Sequence, residues 1–477
     1  MRKKVPLLSP KKVKQIDAAG REILSRVGVK VLDDAVLKQL KRSGARVDAQ
    51  KQMVFMEDTW LEARLSDAPS QVSLYARRPE QDLILGKGRV YFGNGGRVFQ
   101  IFDTATCRVR PSMLRDIAQA GCLVDRLANL HFFIIPCQAN DMAADHYHLN
   151  DFFQAFNNTK KHVMGGCDTL EGAVQMHALA SVIAGNEAAL RARPFVSVIT
   201  NPISPLTFDA VALNIIKFCT GKGLPITCAP APIAGATAPT TLAGTLAQMH
   251  AEALAGVALI QLLQPGTPAL YGAVPSVMDL RKMNLAIGSV ETAMMNAAAV
   301  QLAHLHGLPI YASAGLTDAK VPDIQSGAEK MLSNLLLAQA GADFIHLAAG
   351  MLDSGNTICY EQYIIDDEIL GMIYRLLKGI DVNARTLALD CIASVGPGGN
   401  FVLEDHTVEH MLDQHFYPRH GVRMPFDVWI RDGEPTIVSR AREHVQVLLA
   451  DRKARLDSGC LSRIARKFPQ IQAVGGD

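Results

Sequence analysis

Seven short apolar runs, separated by segments of helical length, constrain this chain more than any other feature. They are "HFFIIP" (131–136), "HVMGGC" (162–167), "FVSVITNP" (195–202), "PITCAPAP" (225–232), "ALYGAV" (269–274), "GLPIYASAG" (307–315) and "ADFIHLAAG" (342–350). Each has the length and apolar content of a buried strand. Amphipathic stretches lie between them, among them Leu170 to Gly185, Phe208 to Thr220, Thr241 to Leu263, Ser289 to His306 and Gln325 to Gly341. Buried-type strands alternating with helices predict a parallel sheet, and about eight such units close into a barrel. The predicted fold is therefore α/β, a TIM-type (β/α)8 barrel. Seven units are clear, and the eighth strand is expected to be irregular near Asn356 to Tyr360.

The flanks follow other patterns. Residues 1–82 read as an N-terminal helical extension, from "KKVKQIDAAGREILSRVG" and "DDAVLKQLKRSGA". Residues 83–128 read as a β-hairpin and a first helix, because "LILGKGRVYFGNGGRVFQIFD" (83–103) alternates and turns on Gly and Asn. The barrel core spans 129–379. Residues 380–477 form a C-terminal helical extension, with helices expected at Val382 to Ser394 and Glu434 to Asp457 around the loop "SVGPGGNF".

Composition excludes several roles. The 48 basic and 46 acidic residues leave a net charge of +2, which gives no electrostatic footprint for nucleic acid or an anionic membrane. The start "MRKK" is followed by an apolar run too short for a secretion signal, and no uninterrupted apolar stretch of about 18 residues exists. A cytoplasmic protein without a membrane span is expected. Nine cysteines without a CxxC pair fit reduced, buried thiols.

In such a barrel the residues after each strand line the C-terminal face, where chemistry sits. Here those segments are rich in small residues: Ala229 to Thr241, "NPISP" (201–205), "ASAGLTDAK" (312–320) and "AAGMLDSGN" (348–356). For any one loop, tight packing of helix ends against the barrel is an adequate reading. Four together favour room for a bulky docked ligand. "DHYHLND" sets His146 and His148 beside Asp145 and Asp151, a spacing that could ligate a metal. No third ligand set accompanies it, so a solvated or substrate loop is the preferred reading and no bound metal is expected. "LTDAK" offers Asp318 and Lys320 equally as ion pair, helix cap or site residues; "IDDEI" (365–369) reads as a charged helix start and "GNGG" (93–96) as a turn.

The segments "APIAGATAPTTLAGTLAQMHAEALAG", "GLTDAKVPDIQSGAEKML", "AAGMLDSGNTICYEQYIIDDEILGM" and "VGPGGNF" together resemble the trimethylamine methyltransferase family, over nearly the whole chain from "FGNGG" at 92 to "SRAREHVQVLL" at 439–449. The resemblance implies a barrel that moves a methyl group from a methylated amine to the cobalt of a corrinoid carried by a separate small protein. On that reading this chain binds no cofactor of its own, its partners are the corrinoid protein and a small amine, and it is expected to be a homo-oligomer. Family members acting on trimethylamine are known for pyrrolysine, and this chain holds only the twenty standard residues. Relatives without pyrrolysine act on quaternary amines such as glycine betaine, carnitine or proline betaine. A quaternary nitrogen already carries its charge and leaves as a neutral amine, so the protein must position it rather than activate it. Two alternatives stay open: a barrel that binds a betaine without catalysis, and a tertiary-amine methyltransferase that works without pyrrolysine.

A trimethylammonium group has no hydrogen to donate, so aromatic faces and carboxylates must recognise it. The expected set is Tyr91, Phe92, Phe99, Tyr311 and Tyr360, with Glu361 as counter-charge. His346, on the interior side of the last clear strand, is the expected catalytic residue, orienting the substrate.

Overall fold

The computed structural model describes residues 6–472 and 474, so Met1 to Val5, which include most of the basic start, lie outside the described residues. Eight parallel strands follow one another around a single sheet: β1 (Tyr91–Phe92), β2 (Phe132–Ile134), β3 (His162–Gly166), β4 (Val196–Thr200), β5 (Ile226–Cys228), β6 (Ala269–Ala273), β7 (Ile310–Ser313) and β8 (Phe344–His346). Each is followed by a helix on the outside: α1 (Leu114–Arg126), α2 (Tyr147–Asn158), α3 (Leu170–Ala184), α4 (Ala210–Lys222), α5 (Leu242–Leu263), α6 (Val290–Leu305), α7 (Ile324–Ala340) and α8 (Tyr360–Lys378). This is the expected (β/α)8 barrel. Strands β2 to β8 fall inside the seven apolar runs.

The eighth strand is not near Asn356 to Tyr360. It is β1, two residues within the stretch read as a hairpin, and it pairs with β8 through Tyr91 opposite Phe344 and Phe92 opposite Ile345. On its other edge a single bridge joins Gly93 to Phe132. The Asn94 side chain then donates to the Ile134 carbonyl at 2.7 Å and accepts the Ile134 N–H at 3.0 Å. An amide side chain thus completes the ladder where the strand is too short to do so. Gly93 is required by this approach, since a Cβ there would lie 2.1 Å from the Phe132 ring.

The stretch 83–103 does not pair with itself. Leu83–Leu85 runs antiparallel to Val72–Leu74, and the hairpin of this region forms further on, between Gln100–Asp103 and Arg108–Pro111. Thr357–Ile358 joins that second pair and Met351–Leu352 in a separate small sheet. Val72, Leu74, Leu83 and Leu85 enter one buried cluster with Tyr91, Phe132, Phe344 and Tyr311 from the barrel interior, so this antiparallel pair plugs the N-terminal end. Burial of each such side chain contributes about 1.5–3 kcal/mol.

Local chemistry sets the helix starts. Thr169, Asp209, Ser289 and Asp323 each accept a backbone N–H from the first turn of the helix they precede. Helix α5 is long and apolar enough to cross a membrane, yet 94% of its most apolar stretch is buried inside the molecule. Its small residues allow close packing: a Cβ on Gly256 would meet Cys228 of β5 at 2.8 Å.

The N-terminal extension has helices Pro10–Glu22 and Asp34–Arg42 at the two expected stretches, a further helix Asp58–Leu65, and a small sheet of Val29–Val31, Arg46–Asp48 and Met53–Phe55 that Thr207–Phe208 joins. At the C-terminus, Ile437–Ala450 packs on α8 and α1. The helices Ala384–Leu387, Leu389–Val395, Asp405–Gln414 and Phe426–Arg431 bury no residue.

Candidate functional site

A cavity of about 480 Å³ opens at the C-terminal ends of the barrel strands. Alternation along β7 and β8 turns Tyr311 and Ser313, and Phe344 and His346, toward the interior. Tyr311 and His346 stack at the base of the cavity, their ring centroids 3.9 Å apart and their planes 21° from parallel. His346 Nε2 lies 2.6 Å from the Ser313 hydroxyl, which fixes the ring. Burial drives the His346 pKa well below the ordinary imidazole value and the Tyr311 phenol well above its own. Both rings are therefore neutral at physiological pH. A neutral aromatic floor attracts a cation through its π faces and does not repel it.

The walls carry the ionisable groups. Asp151, on the first turns of α2, is 2% exposed, and its Oδ1 is buried with no hydrogen-bond partner. Burial pushes its carboxyl well above the usual carboxylate range. Arg97, in the loop after β1, donates through Nη1 to Asp168 at 2.6 Å, while its Nη2 is buried and donates to nothing. Asp168 also accepts from the Tyr147 hydroxyl at 2.6 Å, and its backbone N–H donates to His148 Nε2 at 3.0 Å. Burial would raise the Asp168 carboxyl, but the Tyr147 hydroxyl and Arg97 outweigh it and hold it low. His148, desolvated and near Arg97, is lowered to about 4 and so is neutral. Thr200 Oγ1, which also lines the cavity, is buried without a partner.

The predicted residues divide. Only Tyr311 and His346 line this cavity. Tyr91 sits in the interior one layer below, its hydroxyl reached by the Ile84 N–H from the plug at 3.4 Å. Phe92 points outward from β1 and meets Tyr374 of α8 edge-on at 5.4 Å. Phe99 is exposed on the rim. The Tyr360 hydroxyl donates to Asp116 of α1 and lies 2.7 Å from the Gln119 side-chain amide. Glu361, placed as counter-charge, instead accepts from Thr104 at 2.6 Å and lies 3.7 Å from Arg442. Side-chain direction separates these groups: neighbouring strand residues face opposite sides, and the start of α8 packs onto α1 and the hairpin. The group that replaces Glu361 in the cavity is Asp151. Its motif, "DHYHLND", was read as a solvated or substrate loop, and no local pattern signals that it is buried.

The small-residue loops divide too. Asn201 lines the cavity, whereas no residue from 229 to 241 does. Ala229 packs against β6, where a Cβ on Gly272 would stand 2.4 Å from the Ala229 Cα, and Ile233–Ala234 pairs with Ser276–Asp279. For this loop, tight packing is the explanation. In "LTDAK", Asp318 accepts from Ser354 and Lys320 pairs with Asp353, so both tie the loop after β7 to the loop after β8. "IDDEI" is not a helix start but the middle of α8, where Asp366 forms a fully buried ion pair with Lys330.

A second cluster lies outside the barrel. Asp17 of helix Pro10–Glu22 meets His250 of α5 and His306, with ligand-type atoms within 4.8 Å of one another. Asp17 Oδ1 accepts from His250 Nε2 at 2.9 Å and His306 Nε2 at 2.8 Å, and Arg21 Nε stands 3.2 Å away. Since His250 donates from Nε2, its Nδ1 accepts from the Tyr271 hydroxyl at 2.7 Å. The donors are all spent on one carboxylate that a guanidinium already neutralises. The arrangement ties the N-terminal helix to the barrel.

Comparison with known proteins matches residues 2–467 to the family model "Trimethylamine methyltransferase (MTTB)". The chain is 34% identical over 434 residues to the trimethylamine methyltransferase MttB of Desulfitobacterium hafniense (strain DSM 10664 / DCB-2), covering 91% of this chain and 87% of that protein. It is 30% identical over 449 residues to the glycine betaine methyltransferase of Desulfitobacterium hafniense (strain Y51), covering 94% and 93%. Among solved structures, the Methanosarcina barkeri monomethylamine methyltransferase MtmB matches 92% of both chains with a TM-score of 0.50 at 11% identity, a likeness of fold.

Proposed function

This chain belongs to the trimethylamine methyltransferase family, and from that premise we propose that it transfers a methyl group from a quaternary amine to the Co(I) centre of a corrinoid protein. The observation that carries the reading is the cavity itself: a neutral Tyr311–His346 floor beside the buried, unpaired carboxyl group of Asp151, whose ionised form a bound cation would favour. That combination suits a cation with no hydrogen to donate. The electron pair of cobalt forms the bond to the methyl carbon, the C–N bond breaks, and its electron pair stays on nitrogen. The amine departs neutral, so no proton donor is needed.

The protein contributes position. Tyr311 and His346 hold the methylated nitrogen, and the Ser313 bond keeps the imidazole from turning. The acceptor is a second substrate, brought by its own small protein. Loops at the barrel mouth expose Phe99, Ile203, Leu280 and Met283, an apolar rim that supports docking there. The helices between 384 and 431 bury no residue, and they and the loop before Asp405 expose Leu389, Val402, Leu403 and Leu412, which supports self-association of the chain in the cytoplasm. Light scattering on the purified chain tests that association.

Methylation of a Co(I) corrinoid protein, followed by its visible spectrum, tests the reaction. At equal concentrations a betaine should outrun trimethylamine, which is mostly protonated near neutral pH and finds no activating residue here. The assignment fails if trimethylamine outruns every betaine.

A further inference from the structure

A carboxyl group and a guanidinium face one cavity without satisfying each other. Asp151 and Arg97 both line it, and the guanidinium lowers the Asp151 carboxyl against the stronger effect of burial, yet no nitrogen of Arg97 comes within the 4.0 Å of an ion pair with Asp151. Asp151 Oδ1 accepts no hydrogen bond and Arg97 Nη2 donates none. Folded proteins leave few buried polar atoms unpaired, because each forfeits its hydration. An unpaired acceptor and an unpaired donor on the walls of one cavity are complementary to a ligand that carries both charges.

We propose that Asp151 and Arg97 form a specificity pair for a zwitterion, Asp151 facing the quaternary ammonium and Arg97 Nη2 donating to a carboxylate on the same molecule. The substrate class is then a carboxylate-bearing quaternary amine rather than a plain amine or an amino alcohol. The two ends differ in what they require. A trimethylammonium group donates no directed hydrogen bond, so Asp151 needs only to be close and poorly hydrated. A carboxylate needs a directed donor. Arg97 is preset for that role: Asp168 holds Nη1 at 2.6 Å, and the guanidinium lies over the Tyr147 ring at 5.1 Å. Little orientation is lost when the ligand arrives. A cation without a carboxylate leaves Nη2 unpaired, and a hydrogen bond to a charged group is worth on the order of a tenfold to hundredfold in affinity.

The proposal rests on the methyl-transfer reading only in naming the ligand a substrate, so binding is measured on the full chain without corrinoid protein. Isothermal titration calorimetry compares glycine betaine with choline, which shares the trimethylammonium head and lacks the carboxylate. Glycine betaine should bind at least about tenfold tighter. Arg97→Met should erase that preference by weakening glycine betaine alone, Arg97→Lys should restore part of it, and Asp151→Asn should weaken both ligands by a similar factor. Circular dichroism melts establish that each variant is folded; if Arg97→Met is not, Arg97→Lys and Asp151→Asn carry the comparison. Equal wild-type affinities, no binding of glycine betaine, or an Arg97 variant that weakens both ligands alike would each overturn the pairing. Parallel transfer assays separate the two readings. Charge-dependent binding without cobalt methylation leaves the pair standing and removes the reaction, whereas equal transfer from choline and glycine betaine, unaffected by Arg97→Met, does the reverse.

Discussion

Replacing Lys330 by Met tests whether a buried ion pair holds the two loops that border the site. Both Lys330 and Asp366 have side chains with 0% exposure. Lys330 Nζ donates to Asp366 at 2.9 Å and to the Gly315 carbonyl at 2.6 Å. Asp366 also accepts from the Gly350 N–H and from Gln362, each at 2.8 Å. Gly315 and Gly350 belong to the loops after β7 and β8, just beyond the strands that carry Tyr311 and His346. Lys330→Met roughly keeps the volume and leaves a buried carboxylate with two neutral donors, a loss of about 3–5 kcal/mol. Burial holds the Asp366 carboxyl above its ordinary value, and Lys330 limits the rise. Without the ammonium the folded-state pKa climbs further above the unfolded one, and such a group favours folding more as pH falls. The deficit of Lys330→Met should therefore be smaller near about pH 5 than near about pH 8. Adding Asp366→Asn should recover a large part of it, since the orphaned charge is gone. Guanidinium denaturation followed by circular dichroism at both pH values measures this. A loss below about 1 kcal/mol, or a deficit that grows as pH falls, would refute the reasoning.

Asp151→Asn should raise the thermal midpoint at neutral pH while weakening ligand binding, because a raised folded-state pKa makes the native carboxylate a liability above the unfolded value. The gain should shrink as pH falls, with Arg97, Asp141 and Asp168 the charged groups that act on it; a midpoint lower than wild type would contradict it. Asp17→Ala should remove about 2–3 kcal/mol, because the hydrogen bonds from His250 and His306 outweigh burial and hold its carboxyl low. That contribution is present above the unfolded carboxylate pKa and fades as pH falls below it, so wild type and variant should converge in acid denaturation. Tyr311→Ala should weaken a quaternary amine by about 1–2 kcal/mol in titration calorimetry, the scale of one desolvated cation–π contact. His346→Ala should lower the transfer rate more than the melting midpoint; early melting with normal turnover would make it a packing residue.

The barrel was legible because its signal is local. A buried strand needs a run of apolar residues and a helix needs a capped amphipathic stretch, so β2 to β8 and their helices are written in order along the chain. The same locality explains the miss at β1. Two residues cannot establish a period, and what makes Tyr91 and Phe92 a barrel strand is β8 on one side and the Asn94 side chain on the other.

The site was legible only in part. His346 and Tyr311 could be placed by alternation on strands already identified. Asp151 and Glu361 could not, because both are acids near a helix start and the sequence has no term for which one loses its water. In the folded protein Glu361 finds Thr104 and Arg442, while Asp151 is turned into the cavity and left unpaired. By itself the sequence determined the alternation of strand and helix, the side of the barrel on which the candidate cavity opens, and the family. Tertiary structure alone decided how the barrel closes and which ionisable groups face the cavity, since desolvation and pairing depend on neighbours that lie far apart along the chain.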